Sequence, residues 1–206
     1  MLFWLLPALL LFSSGCAHRF NTIHPGTVNY SWQKEAFGLR YSYEYDIPGI
    51  TNNRRYARKE AKSGYRIVAV EVTNLTSMPL VFGKDIQPVR NGRTLPLAEP
   101  EQALKKVKQK RGFYAFYLLL TPMVFIDAGG TSTPIGLLLG PGLAAGNIIK
   151  ASKANRTFYQ EVNNHLLKGK QIAPSQTVKG YICLADYAPA PFDLVIMPEE
   201  EVAGEE

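Results

Sequence analysis

The sequence predicts an α+β fold in which two runs of strands flank a helical insert at about 99–168. Three observations carry that reading. Residues 37–45 and 65–74 repeat apolar side chains with a period of two, the mark of a half-buried strand. Between 141 and 168 the period lengthens to that of a helix, and strand character returns at 177–185 and 191–197.

In chain order, a first short element is expected around Val28 to Trp32. In FGLRYSYEY (37–45), Phe37, Leu39, Tyr41, Tyr43 and Tyr45 face one way, with Gly38, Arg40, Ser42 and Glu44 opposite. IPGITNN follows as a turn-rich loop that leads into the basic loop 54–62. YRIVAVEVTN (65–74) is the strongest strand, with Val68, Val70 and Val72 on one face. A turn over Asn74 to Pro79 precedes short strands at Leu80 to Phe82 and Ile86 to Arg90. Asn91-Gly92 is a hairpin signal, because both residues tolerate the positive φ that such turns require. Arg93 to Leu97 would be the returning strand.

The insert opens with PEQALKKVKQK, whose early acids and late bases complement a helix dipole. Two apolar segments follow, 113–126 and 134–149, separated by DAGGTSTP, and they predict an apolar helical hairpin. Ala144, Ile148, Ala151, Asn155, Phe158, Val162 and Leu166 then fall three or four apart, on one face of a long amphipathic helix. Pro141 suits its start and Gly169 its end. Phe113, Tyr117, Leu119, Leu138 and Gly140 are the candidate residues of this hairpin for a membrane or a partner. Neither segment reaches the ~20 apolar residues of a membrane span. The hairpin therefore packs on the strands as core, dips into a bilayer, or joins copies of the chain.

Charge is unevenly placed. The tail PEEEVAGEE (198–206) has five glutamates and no base, so all 23 Lys and Arg lie among 17–197. They cluster in RRYARKEAK (54–62) and KKVKQKR (105–111), and Arg54, Arg55, Arg58 and Lys59 are the candidate contacts for an anionic ligand. No G-x-S-x-G elbow, H-E-x-x-H pair, phosphate loop or Cys/His metal spacing occurs. Gly140, Gly142 and Gly146 resemble a dinucleotide-binding turn only loosely, since the spacing is one residue too long and no βαβ unit follows. His18, His24 and His165 form no visible constellation, Cys183 sits in a strand-like run, and Asp127 reads as a turn cap. No catalytic residue, metal ligand or cofactor is expected, and the chain reads as a non-enzyme.

The opening MLFWLLPALLLFSSGC has an 11-residue apolar run, Leu2 to Phe12, then small residues and Cys16. That is the build of a secretory leader, too short to span a bilayer. Ser14, Gly15 and Cys16 resemble the end of the bacterial lipoprotein signal, while Ser13 and the lack of an early Lys or Arg depart from it. The resemblance implies removal of residues 1–15, a diacylglyceryl and acyl (palmitate-type) anchor on Cys16, and a tether over 16–35. Ala17 after the cysteine implies the outer membrane, and HRFNTIH, which has no acidic cluster of the kind used for surface export, implies the periplasmic side. Cys183 would then have no intrachain partner. In such a place nucleic acid is not an expected partner, whereas acidic lipid headgroups, acidic glycans or another envelope protein are.

A second resemblance covers roughly 70 residues. IVAVEVTNLTSMPLVF, with a strand ending in an Asn-x-Thr turn, and IAPSQTVKGYICLA, with a Pro-x-Gln turn before a glycine-bearing strand, are similar to the immunoglobulin-like domains of exported bacterial proteins. That implies an immunoglobulin-like antiparallel β-sandwich over 36–197, interrupted by the helical insert, and implies no particular activity. The combined expectation is a lipid-anchored envelope protein with a binding, scaffolding or assembly role. The alternative is a component that inserts or oligomerises through 113–149.

Overall fold

The structure, a computed structural model, describes residues 17–120, 126–128, 131–133 and 136–197. Cys16 and the acidic tail 198–206 lie outside the described residues. The fold is α+β, with antiparallel sheets and one long helix. It divides into a larger unit (21–108 with 158–197) and a smaller one (17–20 with 109–157).

In the larger unit, β1 (Trp32–Ala36), β2 (Leu39–Glu44), β3 (Arg66–Asn74) and β10 (Thr177–Leu184) form one antiparallel sheet in that order. A second sheet runs β11 (Asp193–Ile196), β5 (Ile86–Arg90), β6 (Arg93–Thr94), and β4 (Leu80–Val81) pairs with β9 (Gln171–Ile172). Both sheets supply one core, in which Tyr41, Val70, Phe82, Ile86, Ile182 and Leu194 are buried together. β3 is central and buried at nearly every position, which its valine-rich sequence allows.

Turn chemistry explains where strand predictions hold and where they shift. Asn91 and Gly92 take φ +50° and +73° between Arg90 and Arg93, as the hairpin signal requires. Phe37 and Gly38 do the same job between β1 and β2, at φ +55° and +73°. Phe37 therefore leaves the predicted strand face and is exposed, while Leu39, Tyr41, Tyr43 and Tyr45 are buried as expected. The element predicted at Val28 to Trp32 begins instead at Trp32, after a 3-10 turn at Pro25–Thr27. The predicted return strand shrinks to Arg93–Thr94, and Leu97 makes a single bridge to Leu184.

The basic loop expected at 54–62 is a helix. Among the described residues, three α-helices belong wholly to this unit: α1 (Ile47–Ile50), α2 (Arg54–Ser63) and α3 (Pro100–Val107). α2 consists largely of Arg, Lys, Ala and Glu, all good helix formers, and Gly64 ends it at φ +74°. Its buried face holds only Tyr56 and Glu60, too few apolar positions to show a period.

The long helix α4 runs Gly136–Asn164, so Pro141 lies inside it and not at its start. Ala144, Ala151, Phe158 and Val162 of the predicted face are buried, as is Ala154. The expected helical hairpin is corrected in its first arm. Arg111–Leu120 is a 3-10 segment, and Ile126–Ala128 (β7) pairs with Thr131–Thr133 (β8) as a small β-hairpin, with Asp127 in a strand. Among the described residues, no helix is long and apolar enough to cross a membrane.

Candidate functional site

Two regions collect the sequence-predicted site residues, one in each unit. In the larger unit the region is α2. Asn53, just ahead of it, is buried and exchanges hydrogen bonds with the backbone of Asn21, 2.8 and 2.9 Å. Tyr56 packs on Phe158 with ring centroids 4.6 Å apart. With those two contacts setting the helix, Arg54, Arg58 and Lys62 fall four apart on its exposed side. Arg55 and Lys59 are half-buried, and Lys59 donates to the carbonyl of Lys108.

The acid of α2 is turned inward. Glu60 is 2% exposed, and its Oε1 accepts the Ile67 N–H at 2.8 Å. Burial pushes its carboxyl up to about 8, against the opposing pull of that hydrogen bond. Arg66, also buried, donates Nη1 to the Glu60 carbonyl and Nη2 to the Tyr187 carbonyl. Glu60 Oε2 and Arg66 Nε are buried without a hydrogen-bond partner. Both residues line an open cleft of roughly 430 Å³ with Asp46, Arg58 and Pro189. Two guanidinium groups beside a carboxyl that is largely protonated at neutral pH suit an acidic group.

In the smaller unit the region begins at Ala17, the residue after Cys16. Ala17 is buried with Tyr114, Tyr117, Ala144 and Ala151, and its N–H donates to Asn147 Oδ1 at 2.7 Å. Gln109, buried, donates to the His18 carbonyl and exchanges two hydrogen bonds with the Asn155 amide. Three residues per turn sort the 3-10 segment into faces. Tyr114 and Tyr117 point inward, whereas Phe113, Phe116 and Leu119 are 64, 64 and 59% exposed. Leu118, Leu143 and Ile149 are exposed as well. The segment expected as a tether is thus anchored at Ala17, Phe20, Ile23 and Pro25, all buried.

The remaining predicted residues separate. Of the hairpin set, Phe113 and Leu119 are exposed, Tyr117 and Gly140 are buried, and the Leu138 side chain lies outside the described ones. Gly140, Gly142 and Gly146 are interior to α4, so they form no phosphate-binding turn at its start. Cys183 is buried, and burial pushes its thiol up to about 12, which leaves it protonated. Sequence reasoning missed Glu60 and Arg66, whose lone polar positions carry no pattern. It also missed a grouping of His24, Glu161 and His165, whose ligand atoms lie within 4.8 Å of one another. Only the four-residue spacing of Glu161 and His165 was available as a signal, and His24 is remote in sequence. Comparison with protein-family models, curated proteins and solved structures gives no match.

Proposed function

We propose that the chain is a lipid-anchored, non-enzymatic protein of the bacterial envelope, held at the outer membrane on the periplasmic side. Its smaller unit lies on the bilayer beside the lipidated Cys16, and its larger unit serves a binding or scaffolding role. One observation carries this reading. The residue next to the anchor is packed among Tyr114, Tyr117, Ala144 and Ala151, while Phe113, Phe116 and Leu119 form one exposed ridge. Contiguous exposed apolar surface of that kind marks a membrane or partner contact. At 2.0 Å rise per residue the ridge is about 12 Å long, enough to enter the headgroup region but not to span.

The larger unit is proposed to be an immunoglobulin-like sandwich. The two turns that suggested it meet: Asn74 N–H donates to the Gln176 carbonyl at 3.1 Å, and Ser175 N–H to the Asn74 carbonyl at 2.8 Å. Asn74 Oδ1 also accepts from the backbone and hydroxyl of Thr76.

Intact-mass measurement of membrane-purified protein tests the anchor: residues 1–15 are lost and acyl mass is gained on Cys16. Vesicle co-sedimentation of protein begun at Ala17 tests the ridge. Binding without the lipid is expected, and Phe113→Ser, Phe116→Ser and Leu119→Ser together weaken it at least 10-fold, since each buried apolar side chain contributes ~1.5–3 kcal/mol. Protein that stays in the supernatant, or a triple variant that binds equally, overturns the membrane reading. Concentration-dependent self-association lost in the triple variant moves the ridge to contacts between copies.

The α2 cleft favours a second partner, an acidic glycan or lipid headgroup. Its support is the inward, largely neutral Glu60, which leaves Arg54, Arg58 and Lys62 without an opposing acid on their own helix. Arg58→Ala with Lys62→Ala should abolish salt-sensitive binding to an acidic glycan column and leave the fold intact.

A further inference from the structure

We propose that His24, Glu161 and His165 form a binding site for a divalent transition-metal ion of the zinc type, clamping the segment ahead of β1 to the end of α4. All three residues belong to the larger unit. Glu161 Oε1 is 3.7 Å from His24 Nδ1 and 3.6 Å from His165 Nε2. Those distances are too long for hydrogen bonds, and Oε1 is buried without one. They are close to what an ion would impose, since ligands held at ~2.0–2.2 Å in a tetrahedron sit roughly 3.4 Å apart. Among the described residues, the two imidazoles are the only ion-pair partners of Glu161, so no Lys or Arg compensates its carboxylate. A carboxylate oxygen buried in that state costs free energy that a cation between the three groups would offset.

The fold positions this trio from both sides. Glu161 and His165 are one helical turn apart and share a face. Gly180 of β10 lets the strand run against the chain at His165: a Cβ there would stand 2.2 Å from the His165 carbonyl oxygen. That carbonyl accepts the Tyr181 N–H at 2.7 Å. The Tyr181 hydroxyl then donates to the Ile23 carbonyl at 2.7 Å, which fixes the residue before His24. Thr27 donates its N–H and its hydroxyl to the His24 carbonyl, both at 2.9 Å. Tyr181 thus holds the backbone of both histidine segments, and its ring meets His165 edge-on at 6.2 Å.

Two imidazoles and one carboxylate select zinc-like ions over calcium or magnesium, which prefer all-oxygen sites. The His24 side chain is 66% exposed, so water supplies the fourth position. The ion would bridge an exposed N-terminal segment to a fixed helix end, which makes it a clamp.

The test uses the full chain, purified in detergent and stripped with a chelator, titrated with zinc chloride against a competing indicator. One zinc per chain is expected, with affinity lowered roughly 10-fold or more in His24→Ala, His165→Ala and Glu161→Gln. Zinc should also raise the thermal midpoint of the wild type by several degrees and leave that of His24→Ala unmoved. His24 is exposed, so its replacement does not endanger the fold. The proposal is overturned if the wild type holds no zinc against the indicator. It is equally overturned if His24→Ala and His165→Ala both hold zinc as tightly as the wild type, as the glutamates of 198–206 alone could do.

Discussion

The two units bury different mixtures of side chain. The core of the larger unit is Val, Ile, Leu and aromatic, drawn from two sheets, and its exposed large apolar residues include Phe37, Ile50 and Met78. Inside the smaller unit lie Ala17, Ala144 and Ala151, the rings of Tyr114 and Tyr117, and amides such as Gln109 and Asn147. Phe113, Phe116, Leu118, Leu119 and Leu143 face out, whereas Phe20 is buried. Apolar content alone therefore does not say which residues make a core. Partners do, and the smaller unit leaves Phe113, Phe116 and Leu119 largely exposed.

Phe82 sharpens that contrast first. It is fully buried in the shared core, so Phe82→Ala removes a whole ring from a closed interior. A loss of about 3–5 kcal/mol is expected in urea denaturation.

Glu60 gives the next largest effect, and its sign is set by the direction of the shift. Its carboxyl is raised from 4.5 to about 8 in the folded chain. Between those values the folded state holds a proton that the unfolded state releases. Stability from this group is thus present at low pH, falls as pH rises through the window, and levels off above about 8. Glu60→Gln keeps an acceptor for the Ile67 N–H and cannot ionise. Compared with the wild type it should flatten the profile, by on the order of 3 kcal/mol between pH 5 and 8. Parallel profiles for the two proteins would show that Glu60 is ionised throughout.

Two glycines extend the comparison with identical residues. Gly180→Ala forces a Cβ against the His165 carbonyl, and a destabilisation of ~1–3 kcal/mol is expected, with weaker zinc binding. Gly142 is interior to α4, and a Cβ there meets nothing within 4 Å. Gly142→Ala should therefore stabilise, by ~0.5–1 kcal/mol, because it removes backbone freedom from the unfolded chain. Thermal melts of the two variants would move in opposite directions.

What was legible in the sequence follows from where its signals are local. Ile86 to Arg90 was placed to the residue, since Asn91-Gly92 marks its end, and β3 and β10 were readable from β-branched residues alone. The long helix was visible because Ala144, Ala151, Phe158 and Val162 recur with a helical period. Phe37-Gly38 was not read as a turn because phenylalanine rarely accepts positive φ. α2 was mistaken for a loop because burial of only Tyr56 and Glu60 leaves no apolar stripe. The 3-10 segment hid its order for another reason. With Phe, Tyr and Leu at nearly every position, only a period of three separates Phe113, Phe116 and Leu119 from Tyr114 and Tyr117. Of the site residues, the basic positions of α2 were legible as a charge run. The trio of His24, Glu161 and His165 required β10 to bring distant segments together, which no local pattern records.

The smallest effect on stability is the most informative about the ridge. Phe113 carries as large an apolar ring as Phe82, yet it is 64% exposed, and its ring centroid lies 6.1 Å from that of Phe116. A substitution there leaves no cavity, so Phe113→Ala should change stability by no more than ~0.5 kcal/mol. A loss of several kcal/mol in the same urea titration would mean that the ring is packed away in solution, by another copy or by lipid carried through purification. The pairing of Phe82→Ala with Phe113→Ala thus measures directly what burial of the ring contributes. If the ridge exists to meet a bilayer, the second variant should be silent in solution and weakened only when vesicles are present.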